Sequence, residues 1–118
     1  MKYMLLLNDD PQAGAEPGTP AHEKEMEEWF AYTDALVKAG VMVGGEALHG
    51  PDAATTVRLR DGEQVVTDGP FIEAKEVLGG YYVIEVEDLD AAIDWASRVP
   101  NVRTGSVEIR PVMDLGGS

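Results

Sequence analysis

An α+β fold, an antiparallel sheet covered on one side by two helices, is predicted by three features of the sequence. The first is the order of hydrophobic periods: strand, helix, strand, hairpin, strand, helix, strand. The second is a pair of segments, Met26 to Val37 and Leu89 to Ala96, whose apolar residues recur at helical spacing. The third is a set of turn signals, Gly40, Asp61-Gly62, Asp68-Gly69-Pro70 and Pro100, placed where the period changes. At 118 residues the chain has the length of one domain, large enough to bury a core without cross-links.

Lys2 to Asn8 is a strand with Leu5 and Leu7 on one face and Met4 and Leu6 on the other, a pattern suited to a central position. Asp9 to Gly18 is a loop rich in Asp, Pro, Gly and Ala. Thr19-Pro20 caps a helix that runs to about Ala39, with Met26, Trp29, Phe30, Thr33, Leu36 and Val37 as its inner stripe and Gly40 at its end. Val41 to Leu48 forms a second strand, in which Gly44-Gly45 signals a bulge or a close backbone approach.

Thr55 to Arg60 and Glu63 to Thr67 flank Asp61-Gly62, the dipeptide of two-residue primed turns. That register sets Val57 opposite Val66 and Arg60 opposite Glu63. Pro70 ends the second arm, and a helical piece is expected near Glu73 to Val77. Gly80 to Val86 is a strand, and Asp88 caps a helix from Leu89 to Val99 whose Leu89, Ala92, Ile93 and Ala96 face inward. Gly105 to Val112 is the last strand, with Val107 and Ile109 inward and Ser106, Glu108 and Arg110 outward, and Asp114 to Ser118 is a frayed tail. Two split strand-helix-strand units on one antiparallel sheet give a ferredoxin-like arrangement with an inserted hairpin. Two helices cover one face only, so a twofold homodimer packing the bare apolar faces together is expected.

Composition narrows the function. Nine basic against 22 acidic side chains give a net charge of -13, which repels nucleic acid and anionic membranes. The absence of cysteine removes disulfides, thiol nucleophiles and thiolate metal sites, and fits a reducing compartment. No apolar run approaches the roughly 20 residues of a membrane span, and Asn8-Asp9-Asp10 interrupts the opening apolar stretch too early for a secretory signal, so a cytoplasmic location is expected. Phosphate loops, dinucleotide fingerprints, His-Glu-x-x-His pairs and nucleophile elbows are missing, and the two histidines lack metal-ligand spacing, so neither cofactor nor metal is expected.

The blocks KYMLLLN, VGGEALHGP, TDGPFIEAKEVLGGYYVIEVEDLDAAIDWA and GSVEIRPV together resemble the YCII-related domain family, in the subgroup named for its Asp-Gly-Pro-Phe motif. The resemblance covers nearly the whole chain and implies a ferredoxin-like protomer that assembles as a dimeric α/β barrel. It also implies a site that pairs a histidine near the start of the first helix, where His22 lies, with an aspartate further on, for which Asp68 is the best match. Some members are encoded beside sigma factors, and a few relatives in the wider family are small-molecule dehalogenases.

Three residues carry the expected chemistry. His22, on the face of Met26 and Trp29, is either a general base or a hydrogen-bonded histidine of a helix start. His49 stands in a loop with Glu46 near enough in sequence to orient it. Asp68 is presented by the following Gly69-Pro70, as an electrostatic partner or as the organiser of its own turn. Glu46, Gly69, Pro70, Phe71, Lys75 and Tyr82 are the expected ligand-binding residues, although Glu73, Lys75 and Glu76 also suit a solvated face. The expectation is a small organic molecule bound in a cleft between helix and sheet, with His/Asp proton transfer of a lyase, isomerase or hydrolase type. The alternative is a non-catalytic binding or regulatory protein linked to a sigma factor.

Overall fold

The computed structural model describes residues 1–10, 13–69 and 76–116. Its elements are β1 (Lys2–Asp9), α1 (Pro20–Lys38), β2 (Met42–Ala47), β3 (Thr55–Arg60), β4 (Glu63–Asp68), β5 (Val77–Glu85), α2 (Leu89–Ala96) and β6 (Ser106–Pro111). Strands β2-β5-β1-β6 form one antiparallel sheet, the ferredoxin-like order, and β3-β4 form a separate hairpin.

The sheet register decides which side chains meet the helices. Tyr3, Leu5 and Leu7 of β1 stand opposite Ile84, Tyr82 and Gly80 of β5, and Leu5 and Leu7 opposite Ile109 and Val107 of β6. These residues, with Tyr32, Leu36, Ala92, Ala96 and Val99, build the core. The other face carries Met4, Leu6, Tyr81 and Val83, all half-buried although both helices lie on the opposite side. The molecule is correspondingly thin, 48 × 46 × 18 Å.

The local signals act as chemistry dictates. Thr19 caps α1 by accepting the His22 N–H at 3.2 Å. At the other end Gly40, at φ +73°, donates to the Val37 carbonyl and Val41 to that of Leu36, the paired bonds of a Schellman motif. Asp61 and Gly62, both at positive φ, make the primed turn of the hairpin, and its register is the expected one. The register slips between Met42 and Gly44, and a Cβ on Gly45 would sit 2.7 Å from the Tyr81 carbonyl oxygen, so the Gly44-Gly45 signal marks both a bulge and a close approach.

Packing differs from expectation at four places. On α1 the buried line runs through Tyr32 and Leu36, while Met26, Phe30 and Val37 are exposed. The helix is rotated towards Tyr32, whose hydroxyl donates to the Trp95 carbonyl at 2.9 Å and whose ring meets Tyr82 and Trp95 edge-on. On α2 only Ala92 and Ala96 are buried and Leu89 and Ile93 are exposed, because small side chains bring the helix close to the sheet. The helix ends at Ala96, and a 3-10 turn over Pro100–Arg103 follows. Finally, β5 begins at Val77, not Gly80: a bulge between Leu7 and Asn8 lets pairing continue through Leu78 and Val77, so Val77 is extended where a helical piece was expected. The rest of that piece, up to Lys75, lies outside the described residues.

Candidate functional site

Between α1 and the β2-β5 edge of the sheet lies a cavity of about 470 Å³. Met26, Trp29, Phe30 and Thr33 of α1 form its roof, at the i, i+3, i+4, i+7 spacing of one helix face. Gly45, Ala47, Gly79 and Gly80 form its floor, with Leu7, Met42 and Tyr82 as walls. The floor owes its shape to backbone approach. A Cβ on Gly80 would lie 2.8 Å from the Glu46 carbonyl oxygen, so β2 and β5 come this close only as glycine at those points, and a nearly bare backbone surface results.

The polar feature of this cavity is a pair of hydroxyls. Thr33 Oγ1 and the Tyr82 phenol oxygen lie 2.6 Å apart, and either can donate. Tyr82 is itself held by edge-on packing on Tyr32. Burial is the main cause that pushes the Tyr32 phenol well above the usual tyrosine range, with Tyr82 adding to it and Arg98 opposing it. Of this aromatic cluster, Tyr82 reaches the cavity wall.

The expected site residues are distributed as follows. His22 stands one helical turn before Met26, on the row that roofs the cavity. Its Nδ1 is shielded from solvent and meets no hydrogen-bond partner among the described residues. His49 is exposed and lines a smaller neighbouring cavity of about 210 Å³ with Asp9, Asp10, Pro51 and Gly79; Gly79 also borders the first cavity. Glu46 pairs with Tyr81 on the sheet face turned away from the helices and makes no hydrogen bond to His49. It edges the main cavity through its strand. Asp68 is exposed at the end of β4 and lines neither cavity.

The Asp68 turn is organised by its neighbour. Gly69, at φ +90°, donates its N–H to the Ala54 carbonyl at 2.7 Å, and its own carbonyl accepts from Thr56 Oγ1 at 2.6 Å. The Asp68 carboxylate takes part in neither bond. Pro70, Phe71 and Lys75 lie outside the described residues. Of the residues expected to bind a ligand, Tyr82 stands in the cavity wall, Glu46 edges it and Gly69 closes the hairpin base.

Sequence reasoning assigned Met26, Trp29, Phe30 and Thr33 to the core and so missed them as cavity lining. A usable signal was present: two glycine pairs, Gly44-Gly45 and Gly79-Gly80, fall on strands that become neighbours, and a floor without side chains leaves room beneath an aromatic helix face. Among the described residues no group of three or more His, Asp or Glu side chains is arranged to hold a metal ion. No described helix is long and apolar enough to cross a membrane.

Comparison with known proteins gives a consistent lineage. The model of the YCII-related domain matches residues 1–116. An uncharacterised protein of Rhizobium meliloti (strain 1021) is 36% identical over 114 residues, covering 95% of this chain and 92% of the relative. Among solved structures, the 5-chloro-2-hydroxyhydroquinone dehydrochlorinase from Burkholderia phenoliruptrix AC1100, in complex with 2,5-dihydroxybenzoquinone, superposes with a TM-score of 0.54 at 14% identity, covering 96% of this chain and 94% of that one. That likeness is one of fold. With the family model matched along almost its full length, the chain belongs to the YCII-related domain family.

Proposed function

We propose that this protein binds a small organic molecule in the cavity between α1 and the β2-β5 edge, and that it does so as a homodimer whose bare sheet faces pack together. The observation that carries the reading is the cavity itself: about 470 Å³, within the range of small-molecule sites, walled by apolar and aromatic side chains and supplied with one convergent hydroxyl pair. The dimer is supported by the apolar strip of Met4, Leu6, Tyr81 and Val83, which no helix of its own protomer covers. The related fold of a dehydrochlorinase that holds a dihydroxybenzoquinone supports the same use of the scaffold.

Binding is favoured over acid–base catalysis by the dispersal of the three chemical candidates. His22 is above the cavity, His49 borders a separate one and Asp68 is at the hairpin base. If proton transfer accompanies binding, His22 is the base, since it alone shares the helix row that faces the ligand. A cytoplasmic setting suits a cysteine-free, acidic chain.

A thermal-shift screen against small organic molecules tests the reading, with Ala47→Phe as its control. Ala47 is exposed at the edge of the floor, so the larger ring fills the cavity without disturbing the core. Ligands that raise the wild-type melting temperature are expected to leave that of Ala47→Phe unchanged. Equal stabilisation of both proteins would move the site elsewhere and overturn the proposal.

A further inference from the structure

Resting on that reading, the geometry points to the class of molecule that the cavity selects: an uncharged, flat-ringed compound carrying one hydroxyl or carbonyl oxygen. Flatness follows from the two surfaces that bound the space. The floor is backbone at Gly45, Gly79 and Gly80 with a single methyl at Ala47, and the roof is Trp29 and Phe30 with Met26 one helical turn before them. A slot with a smooth floor and a roof of aromatic and thioether side chains accepts a planar ring by broad apolar contact. A thick saturated ring of the same carbon skeleton loses those contacts.

The oxygen follows from the hydroxyl pair. Two hydroxyls carry two protons, and the bond between Thr33 and Tyr82 uses one. The pair therefore has one proton left to give and lone pairs left to accept. A ligand hydroxyl satisfies both and a carbonyl satisfies the first.

The lack of charge follows from what the wall does not contain. Among the described residues that line the cavity none is basic, and a carboxylate placed there would be desolvated without a counter-ion inside a chain of net charge -13. A cation meets the opposite shortage, because Glu46, the acidic residue of the lining, has its side chain on the far face of the sheet. Neutral ligands alone incur neither cost.

Four probes of matched size separate these requirements: β-naphthol, naphthalene, β-naphthoate and β-decalol, titrated into the full chain and followed by NMR. We expect β-naphthol to bind about tenfold more tightly than naphthalene, from the added hydrogen bond, and at least tenfold more tightly than β-naphthoate and β-decalol. The double variant Thr33→Val/Tyr82→Phe, nearly isosteric at both positions, leaves no hydroxyl of the pair and should reduce β-naphthol to the level of naphthalene while naphthalene itself is unaffected. Binding of β-naphthoate or β-decalol as tight as that of β-naphthol overturns the inference, and so does an undiminished β-naphthol preference in the double variant. In those cases binding in the cavity still stands as a reading. Failure of all four probes to bind, together with an empty thermal-shift screen, removes both.

Discussion

In the four-stranded sheet Leu5 and Ile84 are fully removed from water, whereas in the hairpin Leu59 is 69% and Val66 55% exposed. The hairpin is at least as rich in branched residues as the sheet and pairs without the bulges of β1 and β2, so strand chemistry does not explain the difference. What separates them is a surface to pack on. The sheet has α1 and α2 against one face; the hairpin forms a sheet of its own, with Val57 and Leu59 exposed on one side and Val65 on the other. An isolated two-stranded hairpin is at best marginally stable in water. The radius of gyration of 16.4 Å, against roughly 13.5 Å for a compact chain of this length, reflects the same extended construction.

The largest test of this contrast is a pair of truncations. Ile84→Ala removes a fully buried side chain and should cost about 2–5 kcal/mol by urea denaturation. Leu59→Ala, measured at a dilution where the protein is monomeric, should cost less than about 0.5 kcal/mol. Similar costs would mean that the hairpin has a packing surface within its own protomer. At higher concentration, a growing cost for Leu59→Ala would sharpen the contrast by showing that the hairpin is buried by assembly.

The bare sheet face can be probed in the same way. Leu6 is half-buried at its centre, so Leu6→Glu in the proposed dimer leaves an unpaired carboxylate in the contact, at a cost of about 3 kcal/mol. Light scattering is expected to report a folded monomer for the variant and twice the protomer mass for the wild type. A wild-type monomer, or a variant that dimerises unchanged, would remove the sheet face as the interface.

Much of the fold was legible because its signals are local. Asp61-Gly62 prescribes a turn by its own backbone preferences, and with it the pairing of Val57 with Val66; Thr19-Pro20 and Gly40 bound α1 in the same manner. Helix rotation was not legible in this way. Whether Tyr32 or Phe30 points inward depends on a carbonyl of Trp95, 63 residues away, which is available only once α2 has docked. The cavity is a product of that rotation, since it places Met26 and Phe30 over the sheet edge instead of into the core. Of the cavity lining, Tyr82 and Glu46 were singled out in the sequence as ligand-binding candidates, while Met26, Trp29, Phe30 and Thr33 were taken for core.

A smaller effect concerns the base of the hairpin. Gly69→Ala forces an L side chain into φ +90°, at about 1–2 kcal/mol, in the turn that holds Ala54 and Thr56. Faster hydrogen exchange in β3 and β4, with β1 and β5 unchanged, is the expected result. Exchange accelerated throughout the sheet would show that the two regions unfold as one.

The smallest effect lies in the core of the sheet and depends on pH. Tyr32→Phe removes a hydrogen bond to the Trp95 carbonyl, which still accepts from the Arg98 N–H, so at neutral pH the cost is about 1 kcal/mol. The same hydroxyl links stability to alkali. Burial raises the folded-state pKa of Tyr32 above that of the unfolded chain, so above the ordinary tyrosine range the unfolded state binds fewer protons and stability falls as pH rises. The contribution is complete below that range and is lost as pH rises from it through the raised folded-state value. In wild type an ultraviolet titration should therefore show the Tyr32 phenol ionising only with unfolding. Tyr32→Phe should abolish that step and flatten the alkaline decline in melting temperature. An unchanged alkaline decline would assign it to another group, and the Tyr32–Tyr82 wall would then be more accessible to water than its packing indicates.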